Sequence, residues 1–148
     1  MTITSSAIQA NGNILPQYTA DGANMSPPLT FSEIPIEAKS LVLIVDDPDA
    51  PSGTFTHWLL FDMPPSIMAI TENENPQLGK AGTNDFGDVG YGGPQPPSGT
   101  HRYYFRLFAL DTMLDLPQGV EREEVEQAMD GHVLESAELV GLYAKSEE

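Results

Sequence analysis

Leu41-Val42-Leu43-Ile44-Val45 is an unbroken apolar run, and Asp47-Pro48-Asp49-Ala50-Pro51 follows one residue later, with His57-Trp58 just beyond. A short continuous apolar run bounded by turn residues predicts a strand covered on both faces, here Ser40 to Asp46. The acids and prolines end that strand in a rigid polar turn: proline fixes the backbone, and aspartate bonds local N–H groups. A buried strand that opens into such a turn is a common way to build a site.

Further strands are expected on either side. Thr2 to Ile8 is short and β-branched at its start, while Phe55 to Asp62 and His101 to Leu110 are aromatic-rich runs. Glu121 to Asp130 predicts a helix, with acids in its first turns to complement the macrodipole, an apolar stripe of Val125, Ala128 and Met129, and Gly131 as its stop. Leu134 to Ala144 fits helix or strand by pattern, and its second half, Leu139 to Tyr143, favours a strand. Between Pro64 and Thr100 lies a long connection, in which residues 79–100 hold seven glycines and three prolines. Long loops inside compact domains are often functional. Several strands, one clear helix and many Gly/Pro turns predict a mainly β domain, and no repeat or linker divides residues 1–148.

Alternation along a strand shows which side chains can meet. Leu41, Leu43, Val45 and Asp47 share one face. Phe55, His57, Leu59 and Phe61 share another, and His101, Tyr103, Phe105, Leu107 and Ala109 a third. Each face is apolar and ends in one polar group. If the strands are neighbours, Asp47, His57 and His101 gather at one rim of the core, as in a small-ligand pocket. A lone histidine on an apolar face is ordinarily a satisfied core residue, and Asp beside Pro ordinarily caps a turn. Three such groups converging point to a site. The bond Ala50–Pro51 is expected to be cis, because two prolines flank Asp49 in a tight turn.

Composition excludes several chemistries. The chain has no cysteine, so disulfides, thiolate metal sites and a cysteine nucleophile are ruled out. Its formal charge is −16, from 22 acids and six bases. That surface repels nucleic acid and anionic headgroups, and with lysine only at Lys39, Lys80 and Lys145 no polybasic membrane-docking patch is expected. The first residues carry no basic, apolar leader and no stretch approaches a membrane span, which points to the cytoplasm.

These motifs resemble the phosphatidylethanolamine-binding protein family, and most closely its bacterial and archaeal Raf-kinase-inhibitor-like branch. The resemblance rests on Asp47-Pro48-Asp49-Ala50-Pro51, on His57-Trp58, on Tyr91-Gly92-Gly93-Pro94-Gln95-Pro96-Pro97-Ser98-Gly99-Thr100-His101-Arg102-Tyr103, and on Phe105 to Asp111. Asp21 to Leu29 and Gly131 to Gly141 also look like that branch. The resemblance implies a β-sandwich with a large antiparallel sheet, a smaller sheet and one or two short helices. It implies a pocket for phosphate groups or similar oxyanions at Asp47, Asp49, His57, Tyr91, Gly92, Pro96, His101 and Tyr103, without cofactor or metal. It further implies a binding or regulatory module whose protein partner would be a kinase or protease. Many relatives in that branch carry Cys where this chain has Gln95. The longer C-terminal helical segment of the animal relatives is not seen, so their control of pocket access is not expected.

The histidines would donate ring N–H groups to the oxyanion, with Asp47 or Asp49 holding one ring in its donating tautomer. Backbone N–H groups of Gly92-Gly93 and of Ser98-Gly99-Thr100 are further candidate donors. Two alternatives stand beside this reading. One is a hydrolase, although no Gly-x-Ser-x-Gly elbow occurs and neither Ser52 nor Ser98 has an evident activating partner. The other is a metal enzyme built on His57, His101 and Asp47.

Overall fold

The apolar run becomes one of the two central strands of a six-stranded sheet. The computed structural model describes residues 1–73 and 79–144. Along them run β1 (Thr2–Thr4), β2 (Gly12–Asn13), a 3-10 turn (Pro16–Tyr18), β3 (Leu29–Ser32), β4 (Ser40–Asp47), β5 (Phe55–Met63), β6 (Ala69–Ile70), β7 (Lys80–Ala81), β8 (Thr100–Leu110), α1 (Arg122–Met129) and β9 (Val133–Ala144). The large sheet has the order β2-β9-β8-β4-β5-β7, and β1-β3-β6 form a small one. Every pairing is antiparallel except the short contact of β2 with β9. The chain is thus mainly β with two sheets, as expected.

Every residue of β4 is buried because both its faces are covered. On one face, Leu41, Leu43 and Val45 join Trp58, Leu60, Phe105 and Leu107, packed against Ile3, Leu29, Phe31 and Ile70 of the small sheet. On the other, Val42 and Ile44 meet Leu59, Phe61 and the α1 residues Val125 and Met129. Each such side chain contributes roughly 1.5–3 kcal/mol of hydrophobic stabilisation.

The helix forms where its acids and Gly131 indicate. Glu124 accepts the Glu121 N–H at 3.4 Å, and Gly131 takes φ +79° just past the end. Ala128 is half-buried, so the buried stripe narrows to Val125 and Met129. Three boundaries differ from expectation. β1 stops at Thr4 instead of reaching Ile8. β9 is strand throughout, paired with β8 from Thr100↔Ala144 to Leu110↔Val133. Its first residues, Val133 to Ser136, are all exposed, so no inward face marked them as a strand. The long connection carries β6, β7 and a bridge between Thr83 and Val89, and its residues 74–78 lie outside the described set. Among the described residues no helix is long and apolar enough to cross a membrane.

Candidate functional site

A bulge in β5 bounds the site. Val45 pairs with Trp58, but Asp46 pairs with Thr56, so His57 is one residue too many on the β5 side. A bulge of this kind resets side-chain alternation. Phe55, paired with Asp47, and His57, two residues on, share the cavity side with Asp47, their rings 4.8 Å apart. Beyond the bulge, Trp58 and Leu60 take that face, and Leu59 and Phe61 turn to the helix side. The expected face of Phe55, His57, Leu59 and Phe61 is corrected accordingly. The face of His101, Tyr103, Phe105, Leu107 and Ala109 holds, all five being buried in the sandwich core or its rim.

Asp47, His57, His101, Tyr103 and Pro96 line one cavity of about 290 Å³. The turn residues Ala50, Pro51 and Ser52 and the loop residues Phe86, Gln95 and Pro97 complete its wall, with Phe55. Both histidines are anchored through Nδ1. His57 donates to the Gly92 carbonyl at 2.7 Å, and His101 donates to Asp47 Oδ2 at 2.6 Å. Carbonyl and carboxylate oxygens only accept, so the ring proton sits on Nδ1 in each case. Among the described residues neither Nε2 has a hydrogen-bond partner. The Tyr103 hydroxyl is buried and likewise without a partner. Burial holds the His57 pKa below its usual value, against the opposing bond to Gly92 and the nearby carboxylates.

The remaining expected residues stand elsewhere. Asp47 rather than Asp49 orients the imidazole. Asp49 instead grips Arg102, accepting from its Nε at 2.9 Å, its Nη2 at 2.8 Å and its backbone N–H at 3.0 Å. These bonds hold the Asp49 carboxyl down at about 2 and tie the turn to the start of β8. Its stabilising contribution is therefore present above pH ~4, the unfolded value, and lost as pH falls through about 2. Asp49→Asn is expected to lower the melting temperature slightly at neutral pH and much less near pH 2, as thermal scans at both values would show.

Tyr91 does not line the cavity: it packs edge-on against Trp58 and donates its hydroxyl to the Tyr18 carbonyl at 2.6 Å. Gly92 is a clamp for His57 instead of an anion donor, since its N–H is spent on the His57 carbonyl at 2.9 Å. The Gly93 N–H is spent on Asn24 Oδ1 at 2.8 Å. A Cβ at position 92 would stand 2.7 Å from Phe86 Cε2, so any larger residue there must displace the ring that walls the cavity. Ser98, Gly99 and Thr100 are exposed and outside the cavity lining.

The peptide bond Ala50–Pro51 is trans, which corrects the expectation of a cis bond. The turn closes without it. Asp47 Oδ1 accepts the Asp49 N–H at 2.8 Å, the Ala50 carbonyl accepts the Gly53 N–H at 3.1 Å, and Gly53 at φ +111° reverses the chain.

Two features were missed in the sequence. Asn84 knits the loop that carries Phe86, accepting the Phe86 and Asp88 N–H groups at 2.9 and 3.2 Å and donating to the Gly90 carbonyl at 3.0 Å. An Asn-Asp-Phe-Gly turn signal was there to be read. Asp46 points away from the cavity and binds two arginines, Arg122 Nη1 at 2.8 Å and Arg106 Nε at 3.1 Å. Among the described residues no three His, Cys, Asp or Glu groups gather closely enough to hold a metal ion, and Asp47 sits behind His101 instead of beside it.

The fold and this arrangement have relatives. The family model for phosphatidylethanolamine-binding protein matches residues 4–144. A UPF0098 protein of Methanothermobacter thermautotrophicus is 51% identical over 98% of this chain and 99% of its own. The crystal structure of a phosphatidylethanolamine-binding protein homolog from Chlamydia trachomatis superposes with a TM-score of 0.94 at 41% identity, covering 98% of this chain and 97% of the other. E. coli YbcL, described as a new member of the mammalian family, superposes at 0.91 with 27% identity and 98% coverage of both. With its sandwich, its paired histidines and a family match over nearly its whole length, the chain belongs to the phosphatidylethanolamine-binding protein family.

Proposed function

We infer that the cavity holds a small oxyanion, above all a phosphate group, and that the protein works as a binding module, not as a catalyst. The observation that carries this reading is the pair of imidazoles anchored at Nδ1, with both Nε2 edges free in one cavity beside a buried unpartnered hydroxyl. A protonated imidazole there donates a charge-assisted bond to an oxyanion. Ser52, on the cavity wall, bonds neither histidine among the described residues, which disfavours a hydrolase. A wider groove beside α1 is lined by Asp85, Glu121, Glu123 and Glu126, and its Arg122 is committed to Asp46, so it suits no anion. The ligand would be a phosphate-bearing small molecule or headgroup. A kinase or protease partner would read the state of the occupied cavity mouth.

Binding is expected to tighten as pH falls, because only the protonated His57 donates from Nε2. Burial depresses that protonation, so the increase belongs below the ordinary histidine value of ~6.5. Calorimetric titration with inorganic phosphate tests the reading. His57→Ala should weaken binding about 10- to 100-fold, the value of one charge-assisted bond. His132→Ala, at the exposed pair with Asp111, should leave it unchanged. Phosphate binding indifferent to His57→Ala would place the site elsewhere.

A further inference from the structure

The histidines are fixed by acceptors, and this restricts what the oxyanion site can take; the inference rests on the reading above. The Gly92 carbonyl and the Asp47 carboxylate cannot give a proton, so each ring keeps its proton on Nδ1. A neutral ring held this way offers the cavity a lone pair at Nε2, not an N–H. For His57 the surroundings favour that neutral form. The rings of Phe55, Tyr103 and Phe86 stand 4.8, 5.3 and 5.6 Å from its own, centroid to centroid, and make an apolar jacket. The charged groups near it are Asp47 and Asp46 on β4 and Asp85 in the loop before Phe86, and their pull towards protonation is outweighed by burial.

A fully ionised oxyanion presents only lone pairs, and against a neutral His57 it meets another. An oxyanion that retains a proton presents an O–H, and His57 Nε2 accepts it. Asp47, in contact with His101, adds a further penalty for each extra negative charge in the cavity. We propose that at neutral pH the cavity selects, among oxyanions of like charge, those carrying an acidic proton of their own, so that it takes hydrogen phosphate and discriminates against sulfate, which has none. Size does not make this choice, since a cavity of about 290 Å³ admits both anions.

The test is calorimetric titration of the whole protein with inorganic phosphate and sulfate. It is run at about pH 7.5 and about pH 5, in enough salt to screen the acidic surface. Inorganic phosphate keeps a proton throughout this range. At the higher pH phosphate should bind at least about 10-fold more tightly than sulfate, the worth of one buried hydrogen bond to a charged group. The gap should narrow as pH falls and His57 takes up a proton, since its Nε2 then becomes a donor. His57→Gln, whose amide both donates and accepts, should bring sulfate within about threefold of phosphate at the higher pH. Equal affinities of the unaltered protein for phosphate and sulfate at the higher pH would overturn the selectivity and leave the oxyanion site standing. Failure of both anions to bind at either pH would overturn the oxyanion reading itself.

Discussion

Asp46→Ala is expected to destabilise the fold by about 2–4 kcal/mol, more than any other change of a polar side chain near the site. Asp46 is 1% exposed, and it holds Arg106 of β8 and Arg122 of α1 by bonds of 2.8–3.3 Å. Removing it leaves two guanidinium groups facing each other over a buried methyl. The loss lies toward the lower part of the range for broken buried pairs, because both arginines reach solvent, at 29% and 24% exposure. Asp46→Asn keeps the shape and one acceptor and should lose less. Urea unfolding measures both: the midpoint should fall at unchanged slope, with a melting temperature lower by about 4–16 °C for Asp46→Ala. A loss below about 1 kcal/mol would mean that solvent had already screened the pair.

Asp47→Ala should cost about 2–3 kcal/mol and also weaken anion binding, although it removes a negative charge from the cavity. Its two oxygens accept the His101 Nδ1–H at 2.6 Å and the Asp49 N–H at 2.8 Å. Without them a buried ring N–H and a turn N–H lose their partners. His101 is then free to turn its Nε2 edge away from the cavity. If Asp47 only repelled the anion, the substitution would strengthen binding, so the sign of the change in phosphate affinity separates the two roles. The consecutive aspartates thus do different work because β4 points them to opposite faces, one to the site and one to the helix.

That difference was only half legible. Alternation and the neighbouring strands led to Asp47, His57 and His101 at one rim, since each closes an apolar face. The bulge at His57 was not legible, because a bulge is a relation between two strands and leaves no mark on one of them. It left His57 on the cavity side, where alternation from Phe55 already put it, while sending Leu59 and Phe61 to the helix side. The Gly92 N–H looked like an anion donor because nothing local to it showed that the bulged His57 carbonyl would claim it. Asp49 looked like a site residue by its place beside Asp47, and Arg102 is what takes it away. The partners of Asp46 are 60 and 76 residues distant, beyond any local pattern.

The central claim is that the Nε2 edges of His57 and His101 receive an oxyanion while their Nδ1 edges stay anchored. Histidine ring ¹⁵N spectra recorded during a titration with inorganic phosphate test it most directly. The Nε2 signals of His57 and His101 should move together and saturate, both Nδ1 atoms should remain protonated throughout, and His132, exposed beside Asp111, should not respond. Saturable shifts confined to His132, or a proton lost from the Nδ1 of His57 on binding, would contradict it.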